Sequence, residues 1–113
     1  MEHGHSLVIL PHFHWNHYAY WKVRIKVFLK SIDERVWNSV EYGWEKLTTP
    51  FSEWLTSQKE ATAFNSKATN AIFNVVSMEE FKRISNVEVA YTAWNILQTV
   101  HEGTKAVKIN KLQ

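Results

Sequence analysis

The chain has 113 residues, of which 45% are hydrophobic and 21% charged, and this length and composition indicate one globular domain. Its formal net charge of +2 is too small for a dedicated nucleic-acid-binding domain, and the absence of cysteine excludes disulfides, thiolate zinc sites and a thiol nucleophile. No stretch approaches the roughly 18 consecutive apolar residues of a membrane helix, and the N-terminus lacks a secretory signal pattern. We therefore expect a cytoplasmic protein, with the nucleus as the alternative location, and no membrane partner.

The first 17 residues contain five of the six histidines. If the N-terminal amine is free, Met1-Glu2-His3 has the groups that chelate Cu(II) in a square plane, namely the amine, two amide nitrogens and an imidazole. His3 and the nearby His5 are therefore the candidate metal ligands. The competing interpretation is a flexible polar tail over residues 1–12 that holds no metal. No cofactor is expected elsewhere in the chain.

Helical signals begin where this tail ends. The first predicted helix runs over about 16–29, because its apolar residues recur at intervals of three and four along one face. A second, shorter helix is predicted after a capping box that starts at Ser31, and Gly43 is expected to end it in a left-handed conformation. Residues 23–27 also alternate like a strand, but the chain offers no second alternating run to pair with them.

Three more helices and the start of another are predicted further along the chain. The longest covers about 52–76, a short one covers 78–84, and a third covers 87–101 before Gly103 ends it. Thr104 is expected to cap a sixth helix. The predicted fold is therefore all-α, a compact bundle of five to six helices. Its core is predicted to contain the aromatic residues that fall on the apolar stripes: Trp21, Trp37, Trp54, Phe64 and Trp94.

Two groups of side chains are candidates for contacts with partners. Trp15 and Trp44 lie next to predicted turns and not on apolar stripes, so they are the tryptophans best placed for exposed contacts. The first helix also carries a basic run without an acidic residue, which is a candidate for weak RNA contact: Lys22, Arg24, Lys26 and Lys30. The simpler interpretation of this run is a solvated helix face.

Catalysis needs a base, an acid or nucleophile, and a group that orients them, all converging on one point. The sequence has one aspartate, Asp33, and neither a cysteine nor a glycine-rich phosphate loop. His101 lies near the end of a predicted helix, where packing or capping explains it. We therefore predict that the domain is not an enzyme.

Five blocks of the sequence match successive motifs of one family in the family's order. They are YAYWKVRIKVFL at 18–29, NSKATNAIF at 65–73, EFKRIS at 80–85, AWNILQ at 93–98 and HEGT at 101–104. Through these blocks the chain resembles the N-terminal capsid region of gag from plant copia-type LTR retrotransposons, over about residues 11–113. It departs from the family at Phe13-His14-Trp15, since the family has an acidic or amide residue and then glycine after the phenylalanine.

The resemblance implies a fold similar to a retroviral capsid N-terminal domain. It also implies a structural protein that assembles a particle through many weak homotypic contacts, with at most weak and non-specific RNA binding. The capsid-like domain would cover 13–103, and 104–113 would begin a C-terminal helix or linker towards a second capsid domain. Val107 and Leu112 in that segment are predicted contacts with another copy or a partner.

An alternative function stays open. A gag domain retained by a host genome is expected to keep the fold but to bind a host protein, a small apolar ligand or a metal instead of building particles. An assembly surface and a partner groove are both exposed apolar patches, so the sequence does not separate these two functions.

Overall fold

The computed structural model describes the backbone of residues 18–112 and the side chains of residues 18–102. This part of the chain contains five α-helices, one short 3₁₀ turn and no β-strand, which confirms the predicted all-α bundle. The elements are α1 (Tyr18–Ile32), α2 (Glu34–Glu41), the 3₁₀ turn (Phe51–Glu53), α3 (Thr56–Val75), α4 (Met78–Ile84) and α5 (Ala90–Leu112). The predictions for the tail 1–12, His3, His5 and Trp15, and for the side chains of Val107 and Leu112, lie outside the described residues.

A single residue, Asp33, separates α1 from α2. Its carboxylate accepts hydrogen bonds from the Arg35 guanidinium at 3.0 Å and from the Arg35 backbone N–H at 2.8 Å, so it caps α2. These two contacts lower the pKa of Asp33 to about 2. The predicted cap, Ser31, instead donates its hydroxyl to the carbonyl of Phe28 near the end of α1. Gly43 follows α2 with φ +95°, the left-handed conformation predicted for it.

The long helix α3 begins at Thr56, not near residue 52 as predicted. The residues before it turn through the 3₁₀ segment, and Trp54 then has an extended backbone with φ −75° and ψ 139°. Its indole N–H donates to the carbonyl of Thr49 at 2.9 Å, so this ring fastens the loop and does not extend the helical stripe. The Gln58 side chain accepts a hydrogen bond from the Leu55 backbone N–H at 2.8 Å, which fixes the first turn of α3.

The last helix, α5, begins at Ala90 and not near residue 87, because a residue of another helix caps it. The Asn65 side chain of α3 accepts a hydrogen bond from the Ala90 backbone N–H at 2.8 Å. The same side chain donates to the carbonyl of Glu88 at 2.7 Å. Asn65 is buried, so these two bonds join α3 to the start of α5 inside the protein.

The other end of α5 also differs from the prediction. Gly103 does not end the helix and Thr104 does not cap a sixth one, since α5 continues to Leu112. A glycine inside a helix costs only about 1 kcal/mol relative to alanine, which a long helix tolerates. The predicted boundary at 103/104 therefore falls within one helix. None of the described helices, α5 included, has the length and apolarity needed to cross a membrane.

The core lies where α1, α2, α3 and α5 meet. Trp21, Trp37 and Trp94 are buried there as predicted, with 1%, 6% and 5% of their surfaces exposed. The Trp94 ring stacks on Trp21 at 5.6 Å between centroids and meets Trp37 edge-on at 5.4 Å. The three rings therefore form one cluster that joins α1, α2 and α5.

Trp54 and Phe64 are both only half-buried; the core prediction is wrong for Trp54, whereas Phe64 packs against the core without being fully buried in it. Trp54 lies in the loop before α3. Phe64 packs at the edge of the core, with the Arg35 guanidinium 4.5 Å from its ring centroid. The buried face of α3 consists instead of smaller side chains, namely Asn65, Ala68, Ala71, Ile72 and Val75.

Candidate interaction surface

Helix α1 has apolar residues on two opposite faces. Its inner face is buried in the core and consists of Tyr18, Trp21, Ile25 and Leu29. Its outer face, defined by Tyr20, Val23 and Val27, is 57%, 60% and 60% exposed. These three residues follow the i, i+3, i+7 spacing that places side chains along one side of a helix. The outer face is therefore a continuous apolar stripe turned away from the core.

This outer stripe is not explained by the stability of the helix. Valine has a lower helix propensity than alanine, leucine or lysine, so Val23 and Val27 are poor choices for a helix surface that meets only water. Single exposed apolar residues are ordinary on proteins, but a row of them beside a groove is typical of a contact surface.

A groove of about 640 Å³ lies beside the outer face, between α1, α2 and α5. It shares Val23 with that face, so the two form one surface. We call this depression the α1 groove. It is lined by residues of the three helices: Ala19, Lys22, Val23, Lys26, Trp37, Val40, Glu41, Tyr91, Trp94, Asn95, Gln98 and Glu102.

Two tryptophans with satisfied polar atoms line the bottom of the α1 groove. The indole N–H of Trp37 donates to the Glu41 carboxylate at 2.9 Å, and that of Trp94 donates to the Gln98 side chain at 3.0 Å. Because both N–H groups are occupied, the surface that these residues offer to the groove is apolar ring. Tyr91, which is 43% exposed, adds further aromatic surface.

Charges of both signs border the α1 groove. Lys22 and Glu102 form an ion pair at 2.7 Å. Lys26 places its ammonium 5.3 Å from the centroid of the Trp37 ring. Among residues 18–102, no ion pair within 4.0 Å involves Lys26 or Glu41. The groove therefore has one internal ion pair and two opposite charges, those of Lys26 and Glu41, that form no ion pair within 4.0 Å among residues 18–102.

The basic residues predicted as weak RNA contacts do not form a uniformly positive surface. Lys22 and Lys30 are each paired with a carboxylate, the latter with Glu34 at 3.5 Å. Arg24 donates to the Tyr20 hydroxyl at 2.8 Å, so it lies along the outer face of α1. The two ion pairs reduce the positive potential that a phosphate backbone would meet, whereas the neutral hydroxyl of Tyr20 leaves the charge of Arg24 in place.

The described residues include one histidine, His101, and its side chain is only 4% exposed. Its ring stacks on Tyr18 at 4.7 Å between centroids, and its Nε2 atom lies 3.8 Å from the Glu80 carboxylate. Burial lowers the pKa of His101, although the charge of Glu80 partly opposes this effect. Burial also raises the pKa of Tyr18, with a further contribution from Glu102. Both rings therefore favour their neutral forms, which suits packing better than proton transfer.

No metal centre is formed within the described part of the chain, since no three histidine, aspartate or glutamate side chains there come close enough to hold an ion. The candidate ligands His3 and His5 lie outside that part.

Trp44, the predicted contact residue that falls within the described chain, is half-buried and borders three surface depressions. One of them is a cavity of about 320 Å³ between α2 and α3. Its walls include the rings of Tyr42, Trp44 and Phe64, with Ala61 beside them. A cavity of this size with aromatic walls suits a small apolar ligand.

The structure also contains two candidate contact surfaces that were not predicted from the sequence, the outer face of α1 and the α1 groove. The spacing of Tyr20, Val23 and Val27 is visible in the sequence, but basic residues alternate with them and hide the stripe. The α1 groove has no sequence signal, because three helices form it and one of them, α5 with Tyr91, is distant from α1 in the chain.

Comparison with known proteins adds no relative, since no protein-family model, curated protein or solved structure matches the chain. The gag resemblance therefore depends on the five sequence blocks. The interaction surface depends on the geometry of α1, α2 and α5.

Proposed function

We propose that the domain is a non-enzymatic structural protein that self-associates as a gag capsid domain does, using the outer face of α1. The observation that supports this most directly is the second apolar face of that helix. Tyr20, Val23 and Val27 are exposed although the inner face already supplies the core. The five blocks that resemble copia-type gag support the same role, that of a cytoplasmic particle-forming protein.

The size of the surface fits a weak contact. Full burial of one valine side chain contributes about 1.5–3 kcal/mol, whereas association costs about 4–15 kcal/mol in lost freedom of motion. A surface with few apolar side chains therefore gives a weak dimer at most. A shell made of many such contacts is held by multivalency, and misplaced subunits dissociate from it easily.

RNA is expected to be a minor partner. The net charge is small, and Lys22 and Lys30 already pair with carboxylates. Binding should therefore be weak, independent of sequence and lost as salt is added.

Sedimentation velocity from micromolar to millimolar concentration tests self-association. We expect the average mass of the wild type to rise with concentration. The double variant Val23→Ser/Val27→Ser should stay monomeric, because it removes two of the three outer apolar side chains. Met78→Ser is the matched control, since Met78 is 70% exposed on α4 and does not border the α1 groove. A wild type that is monomeric at millimolar concentration would contradict the proposal.

The second candidate function is the host binding module, and the cavity beside Trp44 favours it. Indole is a suitable probe because its size and aromatic character match the walls at Tyr42, Trp44 and Phe64. If this function is correct, calorimetry should detect indole binding to the wild type. The variant Ala61→Trp would fill the cavity and abolish that binding. Binding together with a strictly monomeric wild type would favour this function over assembly.

A further inference from the structure

The α1 groove holds two opposite charges that both contact one aromatic ring. The Lys26 ammonium lies over the Trp37 ring at 5.3 Å, and the Glu41 carboxylate accepts the Trp37 N–H at 2.9 Å. Neither charge belongs to an ion pair within residues 18–102. A cation and an anion thus lie on the same surface, beside exposed Val23 and Tyr91.

We infer that a second copy of this chain occupies the α1 groove in a two-fold symmetric contact, with Lys26 paired with Glu41 of the partner subunit. The inference rests on the proposed self-association and names its surface. A patch that contains both charges is complementary to itself, because a two-fold axis forms the same ion pair twice. The apolar surface of Val23 and Tyr91 is then buried between protomers.

The mixed charge of the groove makes a strongly charged partner a poorer occupant. RNA phosphates or an acidic peptide would meet Lys26 but also the carboxylates of Glu41 and Glu102. A basic peptide would meet Lys22 and Lys26. Placing like charges together is unfavourable and discriminates against such partners, whereas a second copy supplies both signs in matching positions.

Charge-reversal variants test this pairing directly. In Lys26→Glu and in Glu41→Lys, each homodimer would contain like charges in place of both ion pairs, so we expect association to weaken by at least about 10-fold in low salt. An equimolar mixture of the two variants should associate as the wild type does, because a mixed dimer again contains two opposite-charge pairs. Analytical ultracentrifugation measures all three samples.

Lys67→Glu is the matched control for the charge change. Lys67 is exposed and also lies beside an aromatic ring, with its ammonium 5.8 Å from the Phe64 centroid, but it does not border the α1 groove. It should associate as the wild type does. Thermal melts of every variant establish that the fold is kept.

Four results would overturn the inference, and they differ in what they imply for the proposed function. Single variants that associate normally, or a mixture that does not recover, would place the contact elsewhere while self-association stands. Growth beyond a dimer in the mixture would show a head-to-tail contact in place of the two-fold one. A wild type that is monomeric at millimolar concentration would remove both proposals.

Discussion

The two faces of α1 have similar apolar character and opposite environments. On the inner face, Trp21 is 1% exposed and Ile25 is fully buried. On the outer face, Val23 and Val27 are each 60% exposed. Both faces satisfy the helical spacing of an apolar stripe, so periodicity identifies apolar faces but not which of them the fold buries. The comparison separates residues that stabilise the domain from residues available for association.

The chemistry of the neighbouring side chains explains which face is buried. The inner face carries the large ring of Trp21, which stacks on Trp94 and buries much more apolar area than a valine does. The outer face alternates with Arg24 and Lys26, whose charges must stay in contact with water. Turning the helix over would bury those charges, so only one orientation is favourable.

The largest contrast is expected between truncations of the two faces. Trp21→Ala removes a buried ring and should lower the free energy of unfolding by about 3–5 kcal/mol, enough to unfold a marginal domain. Val27→Ala should change it by no more than about 0.5 kcal/mol, because the side chain is mostly exposed. Urea denaturation of both variants measures the difference. Similar losses from the two variants would mean that the faces have been wrongly assigned.

A smaller effect is expected at the cap that joins α3 to α5. Asn65→Ala leaves the Ala90 N–H and the Glu88 carbonyl without their side-chain partner and should cost about 1–3 kcal/mol. Asn74→Ala is the control on the same helix, since its amide makes only local, exposed bonds to Asn70. Equal stability of the two variants would show that the cap across helices contributes little.

The cap formed by Asn65 is a feature that the sequence does not predict. Some caps made within a few residues follow the local pattern, as at Ser77, whose hydroxyl accepts the Glu80 backbone N–H at 3.2 Å, but the capping box predicted at Ser31 does not form. The cap of α5 comes from a side chain 25 residues earlier, which no local pattern reveals. The all-α class follows from local periodicity, whereas helix ends and the α1 groove depend on contacts that form only when the chain folds.

Trp54 illustrates the same limit for the core. Its spacing from the inward residues of α3 fits a helical stripe, but a local hydrogen bond to Thr49 holds the ring in the loop. Trp21, Trp37 and Trp94 lie inside helices that form as predicted, so their burial follows from periodicity. An aromatic residue that follows the 3₁₀ turn after Pro50 is therefore harder to place than one in the middle of a helix.

The smallest expected effect is the pH dependence of stability that arises at the N-terminal end of α1, where Tyr18 stacks on His101. The folded state holds the pKa of His101 below its ordinary value of 6.5. As the pH falls below about 6.5, His101 is protonated in the unfolded chain before it is protonated in the folded protein. The free energy of unfolding that is present at higher pH is therefore progressively lost. Melting temperatures should fall modestly between about pH 8 and pH 5. His101→Phe keeps a ring against Tyr18 and should remove this part of the decline, and an unchanged slope would exclude His101 as its source.

The central claim, that the outer face of α1 is the surface where copies meet, is tested most directly by a nuclear magnetic resonance dilution series. Backbone amide shifts would be followed from millimolar to micromolar concentration, with Met78 on α4 as a reference outside the surface. We expect concentration-dependent shifts at Tyr20, Val23, Val27 and Tyr91, and none at Met78. Shifts centred on the cavity beside Trp44, or no shifts at any position, would contradict the claim.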